Sequence, residues 1–339
     1  MNTKTYNIIA LVSALLLMLM SAVQAQADTY TETKYGKTIT WTYTTWTNNN
    51  ITEARITGCD YTGTGYVSVP TKVNNLTVSS FGQSGSTAVF SAQCSIIMPS
   101  SLVDIQPNAL QTSSMASLDF SSCTNLKKLP KSMCYNCGYL TSVTLPSNLD
   151  TIGVEAFKND TLLESVEIPG STMLIDTAAF YNCKTLTKLI FDNTTTSEAK
   201  LVIAYNAFGQ CVKLGDGQDP YRKMVKFGTN VKVIGSHAFA DSPFTYFPTL
   251  NEGLVEIGDM AFNKLVTGGG EKFTLPSTLK RIGNQPWGLS WNKTYHRYVT
   301  ALTFNNEHAT VLWSTTVTTT IQGLNCMMIT FDIGPCLMV

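Results

Sequence analysis

One phrase returns along this chain every 23 residues. Leu140-Thr-Ser-Val-Thr-Leu-Pro146 leads to Ile152-Gly153 and Ala156-Phe157, and Leu163-Glu-Ser-Val-Glu-Ile-Pro169 leads to Ile175 and Ala179-Phe180. A fixed period between 20 and 50 residues marks one small unit stacked many times. Such a unit cannot bury its apolar face alone, so successive coils must share one continuous core. The expected shape is an elongated solenoid, and a pocketed enzyme is the weaker alternative.

The period divides into a constant part and a variable part. Twelve residues separate Met98 from Leu110, Leu145 from Phe157, Ile168 from Phe180, Phe227 from Phe239, Leu250 from Phe262 and Leu275 from Trp287. The remaining eleven absorb insertions, including Gly215 to Pro220 and a stretch between Trp287 and Phe304. Residues 115–134 carry a two-residue expansion around Cys123, which predicts a bulged coil.

Each part has a physical reason. The Val-x-Leu or Val-x-Ile segment alternates, so one face enters the core and the other meets solvent. Pro99, Pro146, Pro169 and Pro276 end these strands, because proline cannot donate to a ladder. The Ile-Gly steps at 152–153, 234–235, 257–258 and 282–283 suggest a backbone with positive φ. In the Ala-Phe step, Ala allows close approach and Phe fills the interior. Cys137, Cys183 and Cys211 share a repeat position, where a small thiol reads as a buried corner residue.

The unit resembles the leucine-rich repeat of BspA-like bacterial surface proteins, L-x-x-V-x-I-P-x-x-V-x-x-I-G-x-x-A-F-x-x-C. Residues 163–183 match it, except that Asp176 stands where Gly is usual. Residues 55–82 resemble that family's first repeat, through Val67-Ser-Val-Pro70 and Phe81-Gly82. The likeness covers about residues 50 to 304. It implies a right-handed, mainly β leucine-rich-repeat rod with irregular or short helical turns and a parallel sheet along one face. It also implies a non-enzymatic protein that binds host proteins, other cells or glycans.

The organisation follows. Lys4, the apolar run Ile8 to Met20 and Ala25-Gln-Ala27 read as a secretory signal peptide over 1–27, cut after Ala27, which leaves no transmembrane segment. Residues 28–59 read as an N-terminal β-hairpin cap built on Trp41-Thr-Tyr43-Thr-Thr-Trp46. About nine coils of roughly 23 residues fill 60–304, and 305–339 form a C-terminal cap or a truncated repeat. The expected location is secreted or cell-surface.

Composition removes several classes of function. Lys and Arg number 23 against 23 Asp and Glu, so the basic footprint of a nucleic-acid binder is missing. There are three His, none near another in sequence, and Cys134-Tyr-Asn-Cys137 follows from the repeat register, so no metal is expected. No catalytic signature occurs, which leaves catalytic residues and cofactors as none. A Cys326–Cys336 disulfide and the sequons at Asn159 and Asn193 are weaker features.

The outward ladder is the candidate working surface. Strand alignment places Asp119, Thr144, Glu167, Ile190, Lys226, Thr249, Thr274 and Thr303 in one solvent-facing column, as a ligand-binding sheet face for a protein or glycan. Beside it run Ser142, Ser165, Lys188, Met224, Lys272 and Ala301. A second candidate is an aromatic loop with Trp291, Tyr295 and Tyr298, whose rings could stack on sugars or anchor a partner. The alternatives are a polysaccharide-active parallel β-helix enzyme, which needs clustered acids on successive coils, and a structural envelope module.

Overall fold

The structure, a computed structural model, describes residues 27–83, 90, 92–192, 200–214, 225–244, 248–263, 272–283, 286 and 301–304. These residues form a mainly β solenoid of about eight turns with parallel sheets. The expected inner column is present. Phe157, Phe180, Phe208, Phe239 and Phe262 are fully buried and stack ring on ring, with centroids 5.1, 5.1, 5.2 and 5.3 Å apart. That spacing is close to the ~4.8 Å between neighbouring strands, so the rings follow the backbone ladder without tilting it.

Three walls surround this interior. The first is a parallel ladder of Tyr66–Ser68, Ser95–Ile97, Ser117–Asp119, Ser142–Thr144, Ser165–Ile168 and Lys188–Phe191. Its inward residues Val67, Ile96, Leu118, Val143, Val166 and Leu189 are all buried. Pro99, Pro146 and Pro169 follow the ends of three of these strands, as expected from their missing N–H. The second wall is a narrower parallel ladder from Lys128–Leu129 to Arg281–Ile282. Its inward column is Leu129, Ile152, Ile175, Ile203, Ile234, Ile257 and Ile282. Among the described residues no helix occurs. The chain turns instead through hydrogen-bonded turns that form the third wall.

In that third wall alternate amides point along the rod. Glu155, Phe157 and Asn159 donate to the carbonyls of Thr177, Ala179 and Tyr181 in the next coil, at 3.0, 2.7 and 2.9 Å. Ala178, Phe180 and Asn182 repeat this toward Tyr205, Ala207 and Gly209. Two residues per coil adopt left-handed backbone to make this possible: Asn108 and Thr112, Ser132 and Asn136, Glu155 and Asn159, Ala178 and Asn182, Asn206 and Gln210, His237 and Asp241. Asn tolerates that region, whereas Glu, Ala and His carry a Cβ penalty of about 1–2 kcal/mol each.

The positive φ expected at the Ile-Gly steps is therefore misplaced: Gly153, Gly235, Gly258 and Gly283 are not left-handed. They are needed for close approach instead. A Cβ on Gly153 would stand 2.7 Å from the Leu129 carbonyl oxygen, and one on Gly235 would stand 2.8 Å from that of Ile203. The Gly153 and Gly235 amides donate to those same oxygens, at 2.9 and 2.7 Å. Asp176 and Ala204 fill this position in other coils with equivalent bonds of 2.9 and 2.8 Å.

The N-terminal region holds three antiparallel strands, Asp28–Lys34, Lys37–Asn48 and Ile51–Cys59, one more than a hairpin. The third runs parallel to Leu76–Phe81, which in turn pairs with Asp104–Ile105. Ile56, Phe81 and Ile105 thus continue the second wall's inward column, and the cap is its first rung. Trp41 is fully buried against Phe90, sealing the core end. The expansion at 115–134 folds inward: Cys123 is fully buried and its thiol donates to the Pro99 carbonyl at 3.3 Å. The insertions at 215–220 and between 287 and 300, and the tail from 305, lie outside the described residues.

Two substitutions separate close approach from backbone strain. Gly235→Ala should destabilise by about 1–3 kcal/mol, because its methyl meets backbone on the coil below. Ala178→Gly should stabilise by about 1 kcal/mol, by releasing a Cβ from left-handed backbone at φ 54°. Urea unfolding of both variants checks the signs.

Candidate functional site

The outward residues of the first wall come from strands whose inward partners are committed to packing. Within the first wall the structure pairs Asp119 with Thr144 and Glu167 with Ile190. Beyond it, Lys226 meets Thr249 in an isolated bridge and Thr274 meets Thr303 in a separate two-stranded sheet, so the expected column is not one continuous ladder. The adjacent column also forms, with Ser142 beside Ser165, Ser165 beside Lys188, and Lys272 beside Ala301. Met224 lies outside the described residues, as do Trp291, Tyr295 and Tyr298 of the aromatic loop.

These positions are not equivalent. Asp119 is half-buried and its carboxylate accepts the Ser121 amide at 2.8 Å, which ties it to its own turn. Thr144, Glu167, Lys226 and Thr249 are exposed, and Ile190 is half-buried. Thr144, Glu167 and Ile190 come together, with Ser165 and Lys188, in an open cleft of about 350 Å³ across three coils. Glu167 and Lys188 lie on neighbouring strands and form no ion pair with each other. The cleft therefore presents acidic and basic side chains, hydroxyls and the apolar, half-buried Ile190.

Ser147, Pro169 and Asp192 complete the rim, and sequence reading had not assigned them to it. Asp192 had a visible signal. It stands where Pro146 and Pro169 end the strands before it, and a charged residue replacing a strand-ending proline marks a changed edge.

Other polar clusters are accounted for by packing. The Lys158 ammonium lies 5.8 and 5.6 Å from the ring centres of Tyr135 and Tyr181 and pairs with Glu155 at 2.6 Å, which raises its pKa. Asn159, the first residue of a sequon, sits in left-handed backbone and accepts an amide hydrogen bond from Asn182 at 2.9 Å. The His237 ring lies 5.4 Å from that of Tyr205, tilted by 55°. Among the described residues no group of three His, Cys, Asp or Glu side chains could hold a metal.

The thiols are structural. Cys94, Cys123, Cys134, Cys137, Cys183 and Cys211 are buried and unpaired as disulfides, and Cys59 is half-buried. Burial pushes Cys94 up to about 11 and Cys123 and Cys211 up to about 12, and it also raises Cys134 and Cys183. Cys59 rises to about 12 for the same reason, despite an opposing hydrogen bond from the Tyr61 amide. A nucleophile needs the thiolate, and these groups hold their protons at neutral pH.

Two comparisons place the chain. Residues 52–187, 91–215 and 203–290 match the BspA type leucine rich repeat region, in six copies. The chain belongs to this family. Its structure is similar to that of a leucine-rich repeat protein from Bacteroides ovatus, at 21% identity and a TM-score of 0.55, covering 79% of this chain and 65% of that one. It also matches the pneumococcal vaccine antigen PcpA, at 20% identity and a TM-score of 0.47, over 82% of this chain and 65% of that one. A leucine rich cell surface protein from Faecalibacterium prausnitzii matches at 16% identity and a TM-score of 0.30, over 87% of this chain and 98% of that one. The chain thus spans less than two thirds of the length of the first two structures. No functionally curated protein matches it. Among the described residues no helix is long and apolar enough to cross a membrane.

The thiol assignment has a direct check. With Cys326 and Cys336 changed to Ser, a maleimide at pH 7.5 should leave the remaining seven thiols unmodified in the folded protein and label all seven in denaturant.

Proposed function

We propose that this BspA-type repeat protein is exported and adheres to a partner through the outward face of its first wall. The partner is a host protein, a cell-surface component or a glycan. One observation carries the reading: Thr144, Glu167 and Ile190, unlike one another and free of core duties, meet with Lys188 in one cleft. A surface that only kept the sheet soluble would repeat one polar residue from coil to coil. Family membership supports a binding role, because repeat solenoids present extended faces for recognition. The sequence of residues 1–27 supports export, with release or display at the cell surface. Trp291, Tyr295 and Tyr298 are proposed as a second contact, for a sugar ring or an apolar anchor.

The test uses the chain from Asp28 onward, screened against host matrix proteins and a glycan array. Thr144→Lys with Glu167→Lys should weaken binding to the captured partner at least tenfold, a loss of about 1.4 kcal/mol, with the melting temperature unchanged. Trp291→Ala tests the loop separately. A broad screen with no partner, or a partner indifferent to the double substitution, would overturn the reading.

A further inference from the structure

One buried residue breaks the chemistry of its column. Three positions after Leu110, Cys134, Phe157, Phe180, Phe208 and Phe239, which share one place in the repeat, the chain carries Ser113, Cys137, Asp160, Cys183, Cys211 and Ser242, all buried. Four of these do the same work. The thiols of Cys137, Cys183 and Cys211 donate to the carbonyls of Leu110, Phe157 and Phe180 in the preceding coil, at 2.9, 3.2 and 3.3 Å. The Ser242 hydroxyl donates to that of Phe208 at 3.0 Å. Ser113 offers a hydroxyl as well, though without a partner, so the five residues of the position other than Asp160 all carry a hydrogen-bond donor.

Asp160 is fully buried at this position. Its Oδ1 accepts the Cys137 amide at 2.7 Å, while its Oδ2 has no partner. An ionised carboxylate only accepts hydrogen bonds; a protonated one regains the donor that its neighbours supply. The groups facing it are Cys134 and Cys137 from the preceding coil and Cys183 from the following one, and burial raises the pKa of Cys134 and Cys183. No basic side chain is among its electrostatic partners.

We propose that Asp160 is held as a neutral acid and makes the solenoid acid-stabilised, so that the coil around it loosens as the surroundings become alkaline. Burial, with a smaller contribution from Cys137, raises the carboxyl pKa well above the usual carboxylate range, in agreement with this geometry. In the unfolded chain the same carboxyl titrates near ~4. Between that value and the raised folded one, the folded chain keeps a proton that the unfolded chain has released. Stability is therefore full below about pH 4 and falls with rising pH, by up to about tenfold in the folding equilibrium per pH unit.

The location gives the device a consequence. From Asp160 the chain passes Leu163, whose amide donates to the Asp160 carbonyl at 3.1 Å, and enters Ser165–Ile168, the strand that carries Glu167. The strand at the centre of the cleft is thus fixed at one end by a proton-dependent corner.

The test compares the full-length chain with Asp160→Asn, which keeps the Oδ1 acceptor and supplies a permanent donor. Urea unfolding from pH 5 to pH 8 should show the wild-type folding constant falling at least about tenfold more than that of the variant. Asp160→Cys, restoring the residue found at 137, 183 and 211, should share the flatter profile and serves if the Asn variant fails to fold. Infrared difference spectroscopy at pH 7 should show a protonated-carboxyl band in the wild type that is lost on alkaline titration. Parallel pH profiles, or an Asp160 carboxyl that NMR finds titrating near pH 4, would overturn the proposal.

Discussion

The structure depends on backbone hydrogen bonds made from one coil to the next. A 23-residue coil holds strands of only two to four residues along most of the rod and cannot satisfy its own amides. Every wall therefore sends its N–H groups along the axis: through two parallel ladders, and through turns such as Phe157 to Ala179 and Phe180 to Ala207 at 2.7 Å. This fixes the axial step near the strand spacing, and the rest follows from that step. Phenylalanine suits the interior because flat rings stack at the same interval, and alanine precedes it because the backbones meet there. Thiols and hydroxyls sit at the corner because the next carbonyl lies within reach of a short donor.

Periodic side chains made much of this legible in the sequence. The buried column of Phe157, Phe180, Phe208, Phe239 and Phe262 and the buried Cys137, Cys183 and Cys211 could be read because burial restricts residue type. The register of Asp119 with Thr144 and of Glu167 with Ile190 could be read because side chains alternate along a strand. Features fixed by backbone geometry were harder to read. The left-handed positions are filled by Asn108 and Asn206 but also by Glu155, Ala178 and His237, so no residue type marks them. The glycines at 153 and 235 drew attention for conformational freedom, when close approach of the neighbouring coil is what selects them. The cap's pairing with Leu76–Phe81 was hard to read because it joins segments that share no repeat phrase.

The candidate site was legible only in part, for a related reason. Outward positions carry no packing constraint, so the repeat predicts where they lie but not what they are. Their column could be listed from the alignment, yet which members converge is decided by local relief. Asp119 is drawn back by the Ser121 amide, while Thr144, Glu167 and Ile190 border one cleft. Asp192 joins them from the position that Pro169 holds one coil earlier, so one place in the repeat supplies two different rim residues. Specificity in such a scaffold comes from departures from the repeat, and regularity supplies the frame that holds them.

The same logic governs Asp160. In a stacked solenoid each coil contacts only its neighbours, so a defect is not averaged over the whole core. A carboxyl in a donor column concentrates its cost at the contacts with the coils of Cys137 and Cys183. Those coils supply the strands Ser142–Thr144 and Lys188–Phe191, which flank Ser165–Ile168 in the cleft. Protonation at one corner is thereby transmitted through backbone bonds to the three strands that share the cleft, while coils farther along the rod keep their own balance.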